Sequence, residues 1–199
     1  MKNDFYAYTD KCLKYLRRFY VREFNRTKMQ IRQDELNVIQ VTTNLYDRMR
    51  RETIRIFLLI AKEKYKALTG RDDTIDEMWL LDFLKMSNPL TGYIFLNDID
   101  RKRQYYTESV MSGENLDKAS KKALRYWYGS AKQFADLTAD AAAMQAFTDE
   151  KVRLVQWMTA ADERVCWTCN SRDGKIYPLE KAPRKPHYNC RCYLKEVTR

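Results

Sequence analysis

Five side chains in the last fifth of the chain could together hold a metal ion. Cys166, Cys169, His187, Cys190 and Cys192 fall within 27 residues in the spacing C-x2-C-x17-H-x2-C-x-C, and they include four of the five cysteines and the only histidine. Zinc takes nitrogen and sulfur donors at the corners of a tetrahedron, and two thiolates three residues apart on a tight knuckle can fill two corners. A second pair, supplied after a loop, fills the others. Cys166, Cys169 and His187 are three expected ligands. Cys190 and Cys192 compete for the fourth place, because on a strand their side chains would point to opposite faces. Cys190 is nearer the turn that holds His187 and is favoured; Cys192 stays as the alternative. Asn170 follows the knuckle and suits a positive φ. Disulfides are the competing account. The first twenty residues carry no apolar leader, which points to reduced thiols in a cytoplasm.

Such a site reads as structural rather than catalytic. A catalytic zinc keeps one position open beside a general acid or base. Here the thiolates suffice to close the shell, and the only histidine is spent on the metal. Asp162, Glu163 and Asp173 lie near in sequence and read as solvated turn carboxylates. No G-x-S-x-G, P-loop or H-E-x-x-H motif is present. The expectation is no enzyme and no small-molecule substrate, with zinc pinning about forty residues that lack a proper core.

The formal net charge is +10, unevenly spread. Residues 151–199 hold 11 Lys and Arg against 5 Asp and Glu, while residues 1–150 hold 26 against 22. A basic tail suits nucleic acid or an acidic protein. Arg164, Arg172, Lys175, Lys181, Arg184, Lys185 and Arg191 are the candidate contacts to DNA phosphates, which would be sequence-independent and salt-sensitive. A solvated basic face balancing the thiolates is the plainer alternative. The strongest apolar run, Ile56 to Ala61, is too short to cross a bilayer, so no membrane partner is expected.

The elements that must position the cysteines are mostly helical. The first Gly is Gly70 and the first Pro is Pro89. Phe5, Tyr8, Cys12, Tyr15, Leu16, Phe19 and Tyr20 recur at helical spacing. Leu36, Ile39, Thr43, Tyr46, Thr53, Ile54, Phe57, Leu58 and Ala61 trace a second helix, after a break within 27–34. Thr74 and Glu77 read as a capping box opening a helix through Lys85. Residues 91–96 suggest a short strand or an extended linker. Helices follow over about 98–111 and 114–147, with the alanines of 139–146 marking close helix packing. From Val152 the period changes to that of a strand, Asp173-Gly174 reads as a hairpin turn, and a last strand spans about 192–197. The expected fold is mainly α, a long-helix body over 1–150 with a small zinc-stabilised β-hairpin module over 151–199. Met78, Trp79, Leu81, Phe83 and Leu84 are either core or a contact for a partner ring.

The run DERVCWTCNSRDGKIYPL (162–179) and the run PHYNCRCYL (186–194) resemble the C-terminal signature of phage minor head proteins, the head-morphogenesis family that includes the Mu F-like proteins. Trp157 and Thr159 extend the likeness, and Asp100-Arg101-Lys102-Arg103, Gln133 and Ala135-Asp136 echo it faintly. Tyr188 stands where members commonly have proline. The resemblance implies a structural virion component, made in the host cytoplasm and held inside the capsid near the portal vertex, where it assists head assembly or DNA packaging and delivery. It implies the portal protein as partner, with the major capsid protein and packaged double-stranded DNA as further ones. By motif position it maps Cys166, Cys169, His187 and Cys190 onto the family's metal ligands. A stand-alone zinc-dependent DNA-binding protein is the alternative, although no recognition helix is apparent near the module. A hydrolase with an open zinc site ranks third.

Overall fold

The computed structural model describes residues 4–71, 74–88, 91–159, 165–187 and 190–197. A short 3-10 turn, Asp4–Tyr6, leads into α1 (Ala7–Gln33). A second, Glu35–Asn37, leads into α2 (Val38–Thr69). Then come α3 (Glu77–Lys85), α4 (Phe95–Met111) and α5 (Leu116–Asp149). After α5 the chain forms β1 (Leu154–Met158), the single turn α6 (Trp167–Asn170), β2 (Ile176–Pro178) and β3 (Tyr193–Glu196). Both β2 and β3 pair antiparallel with β1, giving the order β2-β1-β3. The fold is mainly helical with a small C-terminal antiparallel sheet, as the breaker-poor sequence implies.

Helix ends follow local chemistry. At Gly70 the backbone turns left-handed (φ 74°) and its N–H closes on the carbonyl of Lys66, which ends α2 as expected. The first break falls at Asp34, whose carboxylate accepts from the N–H of Leu36. The expected capping box is replaced by a simple N-cap two residues on: Asp76, not Thr74, accepts from the N–H of Trp79 at 2.8 Å. Thr74 instead shares a hydrogen bond with the Tyr65 hydroxyl. Residues 91–94 form no strand, because α4 has already begun at Phe95.

The long helix α5 packs against α1, α2 and α4 around one aromatic core. Trp127 meets Phe24 edge-on, ring centroids 5.6 Å apart, and Phe95 sits between Phe57 and Phe134 at 5.2 and 4.8 Å. Further along α5, Ala142 and Ala146 are fully buried against Ala61 and Tyr65 of α2, the close packing the alanine cluster announces. Along α2 the expected face holds at Thr53, Phe57 and Ala61, all buried, and departs only at the start, where Leu36 and Ile39 lie exposed and Thr42 is buried. Thr42 and Thr53 are each bonded to a hydroxyl of another helix (Thr107 and Tyr20). Such satisfied polar groups let helices of this polarity pack on one another.

The sheet rests on the body. Val155 of β1 is buried with Ala143 and Phe147 of α5, and Phe5 stacks on Tyr193 of β3 at 4.6 Å. Two residues further along the same buried face of β1, Trp157 is buried with Cys169, Cys190 and Cys192. One face of a single strand thus joins the body to the cysteine cluster. Of the mixed stretch Met78 to Leu84, Leu80 and Leu84 are buried, Trp79 and Phe83 stack half-buried at 5.9 Å, and Met78 is exposed.

Candidate metal centre

The centre is built on β1 and the connection that follows it. Gly174, at φ 72°, donates its N–H to the carbonyl of Trp157, and Trp157 donates its own to Lys175. Asp173 accepts from the backbone N–H of Thr159 at 2.8 Å, so this carboxylate holds the turn closed. The turn at Asp173-Gly174 does not join two paired strands directly; it links α6 to β2, with the knuckle lying between β1 and β2 in sequence. The positive φ falls on Gly174 and not on Asn170, which is helical. Asp162, Glu163 and Arg164 lie outside the described residues, as does Tyr188.

Cys166 caps α6: its sulfur accepts from the N–H of Cys169 at 3.4 Å. That N–H is the first cause of a thiol pKa below the ordinary cysteine value. Cys169, buried one turn later, is the hub. Its sulfur lies 3.7 Å from His187 Nε2 and 3.5 Å from Cys190 Sγ. Two overlapping sets share it, Cys166-Cys169-His187 and Cys169-Cys190-Cys192, each with its donor atoms within 4.8 Å of one another. A tetrahedral ion with bonds of ~2.3 Å would set neighbouring thiolates roughly 3.8 Å apart, so the donor spacing fits.

Protonation tells the same story. Burial pushes the Cys169 thiol up to about 12, the cost of a thiolate with no cation beside it. Cys190 is pulled down to about 5 by a hydrogen bond from Cys192, whose own pKa rises through the same contact. A bound cation would favour the thiolate forms, and the cluster could therefore hold a metal.

The expected separation of Cys190 from Cys192 on opposite strand faces does not occur. Both precede β3, both are buried, and both sulfurs reach Cys169. Cys12 stands apart on α1, buried in the body core.

The candidate DNA contacts divide. Lys185 pairs with Asp140 of α5 at 2.5 Å, and Arg191 binds Asp10 of α1 with two nitrogens at 2.9 and 3.0 Å. Both fasten the sheet region to the body instead of facing solvent. Arg172 lies over the Trp157 ring and donates to the carbonyl of Arg184 at 3.0 Å. Lys175, Lys181 and Arg184 are exposed. The sequence carries no signal for these pairings, because the partners sit on distant helices.

No curated protein and no solved structure matches the chain. Among the described residues no helix is long and apolar enough to cross a membrane. Residues 101–195, which run from α4 through the cysteine cluster, match the family model described as Phage Mu protein F like protein. That match joins the quoted C-terminal signature in supporting one family for this segment, that of the phage minor head proteins.

Proposed function

We propose that this protein is a structural minor head protein of a tailed phage, seated inside the capsid at the portal vertex, with its C-terminal sheet folded around one zinc ion. The observation that carries the reading is the gathering of thiols and one imidazole around Cys169, within the segment that matches the family model. Zinc is the metal of choice because soft thiolates with one imidazole in a tetrahedral arrangement suit it above harder cations. Cys166, Cys169, His187 and Cys190 are the ligands of this reading, with Cys192 as the substitute for Cys190. The donors fill four corners, so the ion serves as a scaffold and the chain performs no catalysis. The helical body then offers the surface for the portal and for the capsid protein around it. DNA, where it touches the sheet region, meets Lys175, Lys181 and Arg184.

Co-assembly with the portal tests this reading. The protein and the cognate portal ring should co-sediment, and elemental analysis should give one zinc per chain. A protein that ignores the portal yet binds duplex DNA tightly on its own would favour a stand-alone DNA-binding role.

A further inference from the structure

A pocket of about 380 Å³ opens between α4 and α5 on the helical body, far from the cysteines in sequence. Its lining is basic. Arg101 and Lys102 enter from α4, Arg125 and Lys132 from α5. The one carboxylate there, Asp98, is buried beneath them and is already committed: it accepts from Arg101 at 2.8 Å, Lys102 at 2.6 Å and Ser130 at 2.7 Å. Asp98 therefore sets the positions of two cations while balancing only one charge. Neither Arg125 nor Lys132 forms an ion pair within 4 Å of a carboxylate among the described residues, although Lys132 acts on Asp136 at longer range. Beside them the amide nitrogen of Gln133 is buried without a hydrogen-bond partner among the described residues.

Gly129 lies on the same wall, in the interior of α5, where glycine costs roughly 1 kcal/mol of helix stability relative to alanine. Its φ is ordinary, and a Cβ there would meet no atom within 4 Å. Nothing in the fold of the chain asks for this glycine. Gly129 lines the pocket, so a bulky side chain at this position would narrow it.

The geometry points to a phosphate-binding site in this pocket, taking a phosphodiester of double-stranded nucleic acid through Arg101, Lys102, Arg125, Lys132 and the Gln133 amide. A backbone rather than a free ion is favoured by what continues along α5. Lys118, Lys121, Arg125 and Lys132 fall within one stripe of roughly 60° at about 100° per residue and span about 21 Å at 1.5 Å rise. Lys118 and Lys121 are exposed and, like Arg125, without a carboxylate partner among the described residues. A track of that length follows a strand; a single ion would need only the pocket. Tyr93 and Tyr126 rim it, with the Arg101 guanidinium 4.4 Å from the Tyr93 ring, which holds that cation in place. The site goes beyond the portal reading and involves neither the portal nor the metal.

The test is fluorescence anisotropy of the full chain with a labelled DNA duplex of arbitrary sequence, across a salt series. The combined change Arg125→Ala and Lys132→Ala should weaken binding roughly tenfold and lower the log–log salt slope by about 2, one unit for each phosphate no longer neutralised. Gly129→Leu should weaken binding by filling the pocket, while Gly129→Ala, which fits and favours the helix, should bind as the parent does. Unchanged affinity and slope in both the double variant and Gly129→Leu would overturn the proposal. So would a loss confined to the combined Lys175→Ala, Lys181→Ala and Arg184→Ala variant, which would put DNA on the sheet region alone. Inorganic phosphate that shifts the Gly129 amide signal in NMR, with no duplex binding, would make the pocket a free-ion site and overturn the nucleic-acid assignment. Portal co-sedimentation is read separately, so either result can fail without the other.

Discussion

Arg191, the residue between Cys190 and Cys192, holds the carboxylate of Asp10 in a two-pronged ion pair, at 2.9 and 3.0 Å, across 181 positions of sequence. The same guanidinium lies 4.4 Å from the ring of Tyr6, whose hydroxyl donates to Asp140. The first turn of α1 is thereby tied to the chain between two candidate metal ligands. The candidate metal centre and the docking of the sheet onto the helices therefore share this contact.

That linkage has a measurable size. Asp10 is about half exposed, so solvent screens the pair and it should contribute only about 0.5–1 kcal/mol. A double-mutant cycle of Asp10→Ala and Arg191→Ala, followed by denaturant unfolding, should return a coupling in that range. Independent effects of the two changes would mean the pair does not fasten the sheet to the body.

The hub position of Cys169 predicts a hierarchy among the cysteines. Cys169→Ser should abolish metal binding, since its sulfur belongs to both donor sets, and Cys12→Ser should leave one metal per chain. Cys190→Ser should lose the metal and Cys192→Ser should keep it; the reverse would make Cys192 the fourth ligand. Cys166→Ser should open the chain from about residue 152 onward to protease while far-UV helicity stays mostly intact, because the helical core makes no use of the metal. Native-like protease resistance in that variant would refute a structural metal.

Asp136 carries a prediction about pH. It is buried on α5, and burial raises its carboxyl to about 6, against the lowering influence of Arg191 and Lys185. A carboxyl raised in the folded state binds a proton that the unfolded chain has released. Its stabilising effect is therefore full below pH ~4 and is lost as pH rises to about 6. The shift of about two units corresponds to at most about 3 kcal/mol. Asp136→Asn should match the parent near pH 4 and exceed it in stability at pH 7–8. Parallel pH–stability curves would show that Asp136 is not buried as charged.

What the sequence made legible was governed by short-range rules. The cysteine and histidine spacing needs only a knuckle and a return, and Gly70 ends α2 because it alone tolerates the left-handed turn there. The start of α2 is not legible from hydropathy, because Leu36 and Ile39 are apolar yet exposed, whereas Thr42 is polar yet buried beside the Thr107 hydroxyl of α4. Lys185 and Arg191 looked like tail charges for the same reason. Their partners Asp140 and Asp10 are brought near only by the packing of α1 against α5. The α5 stripe escaped notice because residues 1–150 are nearly balanced in charge overall, and only the helix sorts the cations onto one side.

Trp167 provides a test of how the protein meets its partner. The indole sits on the knuckle between the ligand candidates Cys166 and Cys169 and is 83% exposed. Removing so exposed a side chain should change unfolding free energy by no more than about 0.5 kcal/mol. A bare tryptophan on a rigid turn is the kind of residue that dominates binding energy when a partner covers it, at about 2 kcal/mol or more. Trp167→Ala should therefore keep its metal and its melting temperature while weakening portal co-sedimentation by roughly thirtyfold. Portal binding that survives the change would move the contact off the knuckle of α6. The half-buried Trp79–Phe83 pair on α3 would then be the next surface to alter, because it presents a stacked aromatic face on the helical side.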